Sequence, residues 1–330
     1  MKNHRLLLSG LSALGLLAAS LTARAADTSY HFIKEIKVGG EGGWDYLYAD
    51  AEGRRLYVSH GTKVVVIGLD DDQIVGAIGD TLGVHGIAIA NDVGRGFTSN
   101  GRENKVSIFD LKTLQTISKV DTGENPDAIV YEPSQHEVYA MNGRSHSASV
   151  IDAKSGKVVA TVPLSGKPEF AVADPQAGHV YVNLENKSEI AVIDIKSHTV
   201  TASWPIAPGE AASGMAGDLV NHRLFLGCDN KLMPMVDSAS GKVIATVPIG
   251  EGVDANAFDP GTLLAFASCG GAGATIIAHE DSPDKLTVVQ TLTTEKGART
   301  MALDTKTHKI YLSNAKKGEA NSFKVLVYGP

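Results

Sequence analysis

Asp45, His85, Asp127, Glu169 and Asp254 recur along the chain at nearly one interval, doubled only between the last two. Side chains of these types bind cations and move protons. Their spacing matches no compact metal or catalytic motif, in which the donors lie within a few residues of one another. It suits a repeat in which successive copies each send one side chain to a shared axis. Carboxylates converging there would hold a hard cation such as calcium, and His85 would let a transition ion share the place. Two other expectations compete with a metal site. One is a mouth lined by the same side chains that takes a small molecule without metal. The other is a structural role, in which the acids accept hydrogen bonds from loop N–H groups, as Pro126-Asp127 and Pro168-Glu169 would do easily.

The elements that would position these residues are visible as self-similarity, the first thing to look for in a chain of this kind. One unit recurs: an apolar strand, an acidic turn, an aromatic strand, a polar loop, a strand ending in Asp, and a fourth strand ending near Gly. The aromatic of the second strand marks the period at Tyr57, Phe97, Tyr139, Tyr181, Phe225, Phe266 and Tyr311, a nearly constant step. The Asp that ends the third strand agrees at Asp110, Asp152, Asp194 and Asp237, with Asp70 slightly displaced. Each strand is short, rich in Val and Ile, and bounded by Gly, Pro, Asn or Asp turns. A four-stranded sheet of this size cannot bury both faces alone, and radial stacking of the copies solves that. The expected fold is all-β: a seven-bladed β-propeller forming a single domain over residues 26–330.

The two ends predict how the ring closes. The last copy, from Ala298, supplies three strands and finishes with Phe323–Tyr328, while the segment Tyr30–Val38 is an orphan strand resembling the fourth strands of other copies. Three plus one completes a blade, so the N-terminal strand should pair with the C-terminal one and remove the free edges.

Alignment of the copies places Trp44, His85, Pro126, Pro168, Ser213, Asp254 and Arg299 at one position at the start of each innermost strand. Asp45, Gly86, Asp127, Glu169, Gly214, Ala255 and Thr300 follow as the next ring. Ligands of propellers usually sit on the face where these strands begin. His60, after the second strand of the first blade, is placed to approach His85. Trp44 and Arg299 fall on neighbouring blades after closure, which allows a cation–π or partner-binding spot or, alternatively, a Trp packed over the seam. His136, His179, His222 and His308 fall between first and second strands, on the opposite face, where repetition implies turn structure.

Cys228 and Cys269 occupy equivalent positions in blades 5 and 6. An oxidising compartment would favour a disulfide. Second strands of adjacent blades, however, should lie roughly 9–10 Å apart, beyond the ~7 Å that a disulfide spans. The alternative is two small, buried, inert thiols. There is no C-x-x-C-H, hence no haem attachment, and no paired C-x-x-C, nucleophile elbow, P-loop or dinucleotide fingerprint.

The start of the chain sets the expected compartment. Lys2 and Arg5 precede an apolar run from Leu6 to Leu21, and Ala23-Arg24-Ala25 is a small-x-small cleavage pattern, so residues 1–25 read as a signal peptide. The run is shorter than the ~20 residues of a spanning helix, so no membrane anchor is expected in the mature form. The expected signal segment holds three of the basic side chains and no acid, leaving 27 Lys+Arg against 37 Asp+Glu and a net charge of −10. Such a surface disfavours general binding to nucleic acid or anionic lipid. A monomer, periplasmic or secreted, is the expectation.

The second strands read Leu56-Tyr57-Val58-Ser59-His60, Gly96-Phe97-Thr98-Ser99-Asn100, Val138-Tyr139-Ala140-Met141-Asn142 and Ile310-Tyr311-Leu312-Ser313-Asn314. With Ser149–Pro163, they make the chain resemble the YVTN-repeat β-propellers, and the exported YncE-like proteins in particular. His60, Leu184, Cys228 and Cys269 replace the motif's Asn in four copies. The shared residues build blades rather than chemistry. The resemblance implies a soluble exported protein, usually without an assigned reaction: a non-enzymatic binding or scaffold protein whose protein or small-molecule partner meets the channel mouth. One alternative is a metal-assisted lactonase or lyase on that face, with His85 as acid/base and Asp127, Glu169 or Asp254 as ligands. Another is an accessory subunit of a periplasmic redox system.

Overall fold

The computed structural model describes residues 29–40, 43–316 and 318–330, so the expected signal peptide lies outside the described residues. Among these, the strands form seven four-stranded antiparallel sheets, and the only regular helix is a single 3-10 turn at Glu185–Lys187. Blade 1 runs Trp44–Asp50, Arg55–His60, Lys63–Gly68 and Ile74–Ile78. Blades 2 to 6 repeat this order from Val84, Pro126, Pro168, Ala212 and Val253. First strands of successive blades pack side by side around the axis. No helix of the described residues is long and apolar enough to cross a membrane.

Blade 7 closes the ring as the sequence predicts. Its strands Met301–Asp304, Lys309–Asn314 and Lys324–Gly329 are joined by His31–Lys37, paired antiparallel from His31 opposite Gly329 to Lys37 opposite Lys324. Tyr30 fastens this strand to blade 6. It is 2% exposed, packs its ring edge-on to Phe266 at 5.2 Å, and donates its hydroxyl to the His308 carbonyl at 2.6 Å. The Gln290 side-chain amide bonds both backbone groups of Tyr30, at 2.9 and 2.7 Å.

The period markers have physical reasons. All seven second-strand aromatics are at most 1% exposed, because each lies mid-sheet between two neighbouring blades. The Asp ending the third strand is a turn cap: Asp110, Asp152, Asp194 and Asp237 each accept turn N–H groups. Hydrogen bonds from these turns hold Asp110, Asp152 and Asp194 below the usual carboxylate range. His136, His222 and His308 sit at the turn position with φ of 54°, 57° and 58°, which Gly178 fills in blade 4. Histidine is among the few non-glycine residues tolerated there, so three of the four histidines assigned to turns are placed by backbone geometry.

Cys228 and Cys269 are both buried and free, as the spacing of adjacent blades implies. Burial pushes their thiols up to about 12 and about 11, which leaves them unreactive.

The first strands end in buried acids, Asp50, Glu132, Asp174, Asp218, Asp259 and Asp304, each capping the following turn. Some also bridge blades: Arg54 of blade 1 donates to Asp304 of blade 7 at 2.9 Å, and Asn91 of blade 2 donates to Asp50 of blade 1 at 3.0 Å. Glu280 is different. It is 1% exposed, and burial, with the Asp218 carboxylate beside it, pushes its pKa from 4.5 up to about 7.

Two outcomes follow from these contacts. Removing residues 29–38 strips the strand that covers Lys324–Gly329 and frees a sheet edge. Urea unfolding followed by circular dichroism should then lose its single cooperative transition or shift to a much lower midpoint; an unchanged transition would contradict closure by this strand. Glu280 keeps its proton in the folded state while the unfolded chain ionises, so its destabilising effect is absent below pH 4.5, grows up to pH 7 and is constant above. Glu280→Gln should therefore stabilise the protein by roughly 1–3 kcal/mol at pH 8 and leave stability unchanged at pH 4, read from denaturation midpoints.

Candidate functional site

The mouth of the channel is built from a local irregularity. Trp44, Val84, Pro126, Pro168, Ala212 and Val253 pair with the last residues of their second strands, and the register shifts immediately after each of them. A bulge of this kind adds backbone on one strand and re-aims the side chains it carries. The ring at the bulge is Asp45, His85, Asp127, Glu169, Ser213 and Asp254, with Arg299 supplied by blade 7, and all seven line one open funnel of about 430 Å³. This corrects the sequence alignment in blades 1, 3 and 4. Asp45, Asp127 and Glu169 are level with His85, whereas Trp44, Pro126 and Pro168 sit one residue earlier.

Polar second-strand residues clamp the bulges. Ser59 accepts the Asp45 N–H at 2.9 Å and Ser99 accepts the Gly86 N–H at 2.8 Å. Mouth carbonyls are held from the preceding blade: Ser99 donates to that of Asp127, Asn183 to that of Ser213 at 3.2 Å, and Ser268 to that of Arg299. Thr300 of blade 7 donates to the Asp45 carbonyl at 2.7 Å, so the same linkage crosses the closure seam. The side chains at the mouth therefore project from a fixed backbone.

Their charges are unevenly matched. His85 Nδ1 lies 2.5 Å from Asp45 Oδ2 and 3.6 Å from Asp127 Oδ1. Arg299 pairs with Asp254 at 2.6 Å and approaches Asp45 at 3.9 Å, while Lys167 pairs with Glu169 at 2.9 Å and Glu185 at 2.5 Å. Six carboxylates line the funnel, those of Asp45, Asp127, Glu169, Glu185, Asp229 and Asp254. Burial, then the neighbouring acids, push Asp127 up to about 7 despite His85, and Asp254 up to about 7 despite Arg299. Glu169 and Asp229 are raised chiefly by burial. Burial opposes a charged His85, yet the Asp45 hydrogen bond and the surrounding carboxylates raise its pKa overall.

Two sequence candidates lie elsewhere. His60 does not meet His85: it is 2% exposed, stacked at 4.3 Å on Phe323, and burial lowers its pKa. Trp44 is half-buried beside the same Phe323, ring centroids 5.9 Å apart, so it packs at the closure seam and forms no pair with Arg299. Its edge still borders a groove of about 280 Å³ that shares Asp45 and His85 with the funnel.

Sequence reasoning missed Glu185, Asp229, Tyr46 and the counter-ion Lys167. A signal for the first two existed. The residue after the second strand is Gly61, Gly101, Gly143, Gly270 or Ala315 in five blades, but Glu185 and Asp229 in blades 4 and 5. Tyr46 is 8% exposed, lines the funnel, and donates to the Glu169 carbonyl at 3.4 Å.

No protein-family model matches the chain, and neither does any curated protein. Solved structures do. U3-55K superposes with a TM-score of 0.77 at 10% identity, over 89% of this chain and 98% of that one. The RRP9 WD40 repeats give 0.78 at 10% identity, over 91% and 98%. Hydrazine synthase of Kuenenia stuttgartiensis gives 0.73 at 17% identity, over 88% and 96%. The chain is a seven-bladed β-propeller. At these identities the likeness is one of fold alone, and the chemistry has to be argued from the mouth itself.

Buried acids cost stability when ionised. Asp254 has a 20% exposed side chain and a pKa raised from 3.8 to about 7, so its effect is absent below pH 3.8 and complete above 7. Asp254→Asn should stabilise the protein by roughly 1 kcal/mol at pH 8, about 2 °C in Tm, with the gain vanishing towards pH 4 in scanning calorimetry.

Proposed function

We propose that this chain is an exported binding protein, periplasmic or secreted and of the YncE-like kind, whose mouth captures a positively charged ligand. The observation that carries this reading is the concentration of six carboxylates in one funnel that holds Arg299 and has Lys167 beside it as counter-cations. Low-dielectric walls focus such a field and raise the local concentration of cations. The funnel's volume of about 430 Å³ falls within the range of small-molecule sites. Fixed bulges and interblade clamps favour a preformed site over one moulded by its ligand. Propeller scaffolds suit such binding because the blades bear the fold and leave the mouth free to vary. A metal-assisted lactonase or lyase is the second reading, favoured by the grouping of Asp45, His85 and Asp127 donor atoms within 4.8 Å.

Calorimetric titration of the purified protein in EDTA should show saturable binding of spermidine or arginine amide and none of citrate. The double variant Asp127→Asn/Asp254→Asn should bind those cations at least ~10-fold more weakly, as expected for loss of two close charge partners. Equal binding of citrate, or cation binding indifferent to the double variant, would sink the proposal. Mass spectrometry of the same protein recovered from its native host should find Ala26 at the N-terminus. An intact residue 1–25 segment in a cytoplasmic fraction would refute export.

A further inference from the structure

We propose that Asp45, His85 and Asp127 form a binding site for one divalent first-row transition ion at the rim of the funnel. The inference rests on the reading of the mouth as a ligand-binding site and narrows one corner of it to a metal. Nδ1 of His85, an Oδ of Asp45 and an Oδ of Asp127 all lie within 4.8 Å of one another. A single proton on Nδ1 can be directed at one of the two carboxylates, and the 2.5 Å contact puts Asp45 in that position. Asp127, at 3.6 Å from the same nitrogen, is beyond hydrogen-bond reach, and its carboxylate receives no hydrogen bond among the described residues. One proton cannot join three donors; one ion can.

The distances fit that exchange. Ligand bonds of about 2.0–2.2 Å set donors roughly 3.3–3.6 Å apart around a tetrahedral ion. The 3.6 Å separation of His85 and Asp127 already has about this value, the 2.5 Å contact to Asp45 would open by about 1 Å, and the Asp45 and Asp127 oxygens lie within 4.8 Å of each other. The imidazole is already oriented. Its Nε2 edge fills the space over Gly101, where a Cβ would stand 2.6 Å from that nitrogen, so Nδ1 is the atom presented to the carboxylates. Ser99 ties the Gly86 N–H to the Asp127 carbonyl, and Ser59 with Thr300 fixes both sides of Asp45. Such support from rigid strands is what a metal site needs.

The other acids of the funnel are not part of this set. Glu169 is held by Lys167 and Asp254 by Arg299. This reduces the five-residue ligand set expected from the sequence to three. One imidazole nitrogen and two carboxylate oxygens suit Zn²⁺, Co²⁺ or Mn²⁺, whereas Ca²⁺ asks for six to eight oxygens. The remaining coordination positions would open into the funnel, towards water or a bound ligand.

The test uses the full purified protein, stripped with EDTA and titrated calorimetrically with Zn²⁺ and Mn²⁺, and with Co²⁺ followed by absorption. One ion per chain is expected, with Co²⁺ ligand-field bands reporting nitrogen and oxygen donors in the unmutated protein. His85→Gln and Asp127→Asn should each weaken binding at least ~10-fold, while Glu251→Gln, at an exposed acid outside the funnel lining, should stay within about 3-fold. Thermal unfolding of each variant confirms folding, and the Co²⁺ spectrum stands even where one variant fails to fold. Absence of saturable one-ion binding overturns the site. So do an equal loss in Glu251→Gln and Ca²⁺ binding as tight as Zn²⁺, since both would mean diffuse attraction by acids. Spermidine binding in EDTA is measured separately, so failure of the metal site and failure of the acidic mouth are distinguishable.

Discussion

Everything at the mouth depends on the ring being closed. Six complete blades and a three-stranded seventh would leave Lys324–Gly329 as an open edge. Pairing with His31–Lys37 converts that edge into an interior strand, and Tyr30 then ties the new outer strand across to blade 6. Closure is also what makes blades 1 and 7 neighbours. The Thr300–Asp45 hydrogen bond and the approach of Arg299 to Asp45 both cross this seam. Asp45, near the start of the chain, therefore takes its place in the site from contacts made by residues near its end.

Bulges next connect fold to chemistry. An unbroken strand would alternate its side chains between the two faces of the blade, and the mouth residue would follow the packing pattern of the rest. With the register shifted at the mouth, the first strand carries a polar residue to the axis while the following residues still fill the core. Ser59, Ser99, Asn183, Ser268 and Thr300 fix the backbone there by bonding mouth amides and carbonyls. The same rigidity prevents the acids from spreading apart. Burial in the funnel, reinforced by the neighbouring acids, raises Asp127 and Asp254 to about 7.

The sequence carried the fold well because the repeat is enforced by packing. A second-strand aromatic that must fill the space between blades recurs at every copy, and the orphan N-terminal strand matches the one element the last copy lacks. The ring of mouth residues was harder. A bulge adds a residue without any compositional mark, so periodicity alone could not decide whether Trp44 or Asp45 is level with His85. His60 was drawn towards the mouth by its place at the end of a second strand, but stacking on Phe323 from the closing segment holds it in the core. That contact joins the first blade to the last strand's approach at the far end of the chain, and neither local pattern nor spacing predicts it. Glu185 and Asp229 were within reach, because an acid replaces a small residue at a position otherwise held by Gly or Ala.

The mouth is also the place where the repeat stops repeating. Around the ring the residues run Asp45, His85, Asp127, Glu169, Ser213, Asp254, Arg299, and no blade copies both of its neighbours. Turn caps behave otherwise: the first-strand acids on the opposite face recur in most blades, and each bonds its own turn. If the mouth acids were caps of the same kind, their carboxylates would likewise be spent on local N–H groups. They are directed instead at His85, Arg299 and Lys167, or, for Asp127, at no hydrogen-bond donor among the described residues. The ring is also polarised. Its imidazole stands between two Asp on the flanking blades, and its basic partners neutralise acids on other blades. The proposed site for a charged ligand would acquire from that asymmetry a defined place for the positive charge to rest.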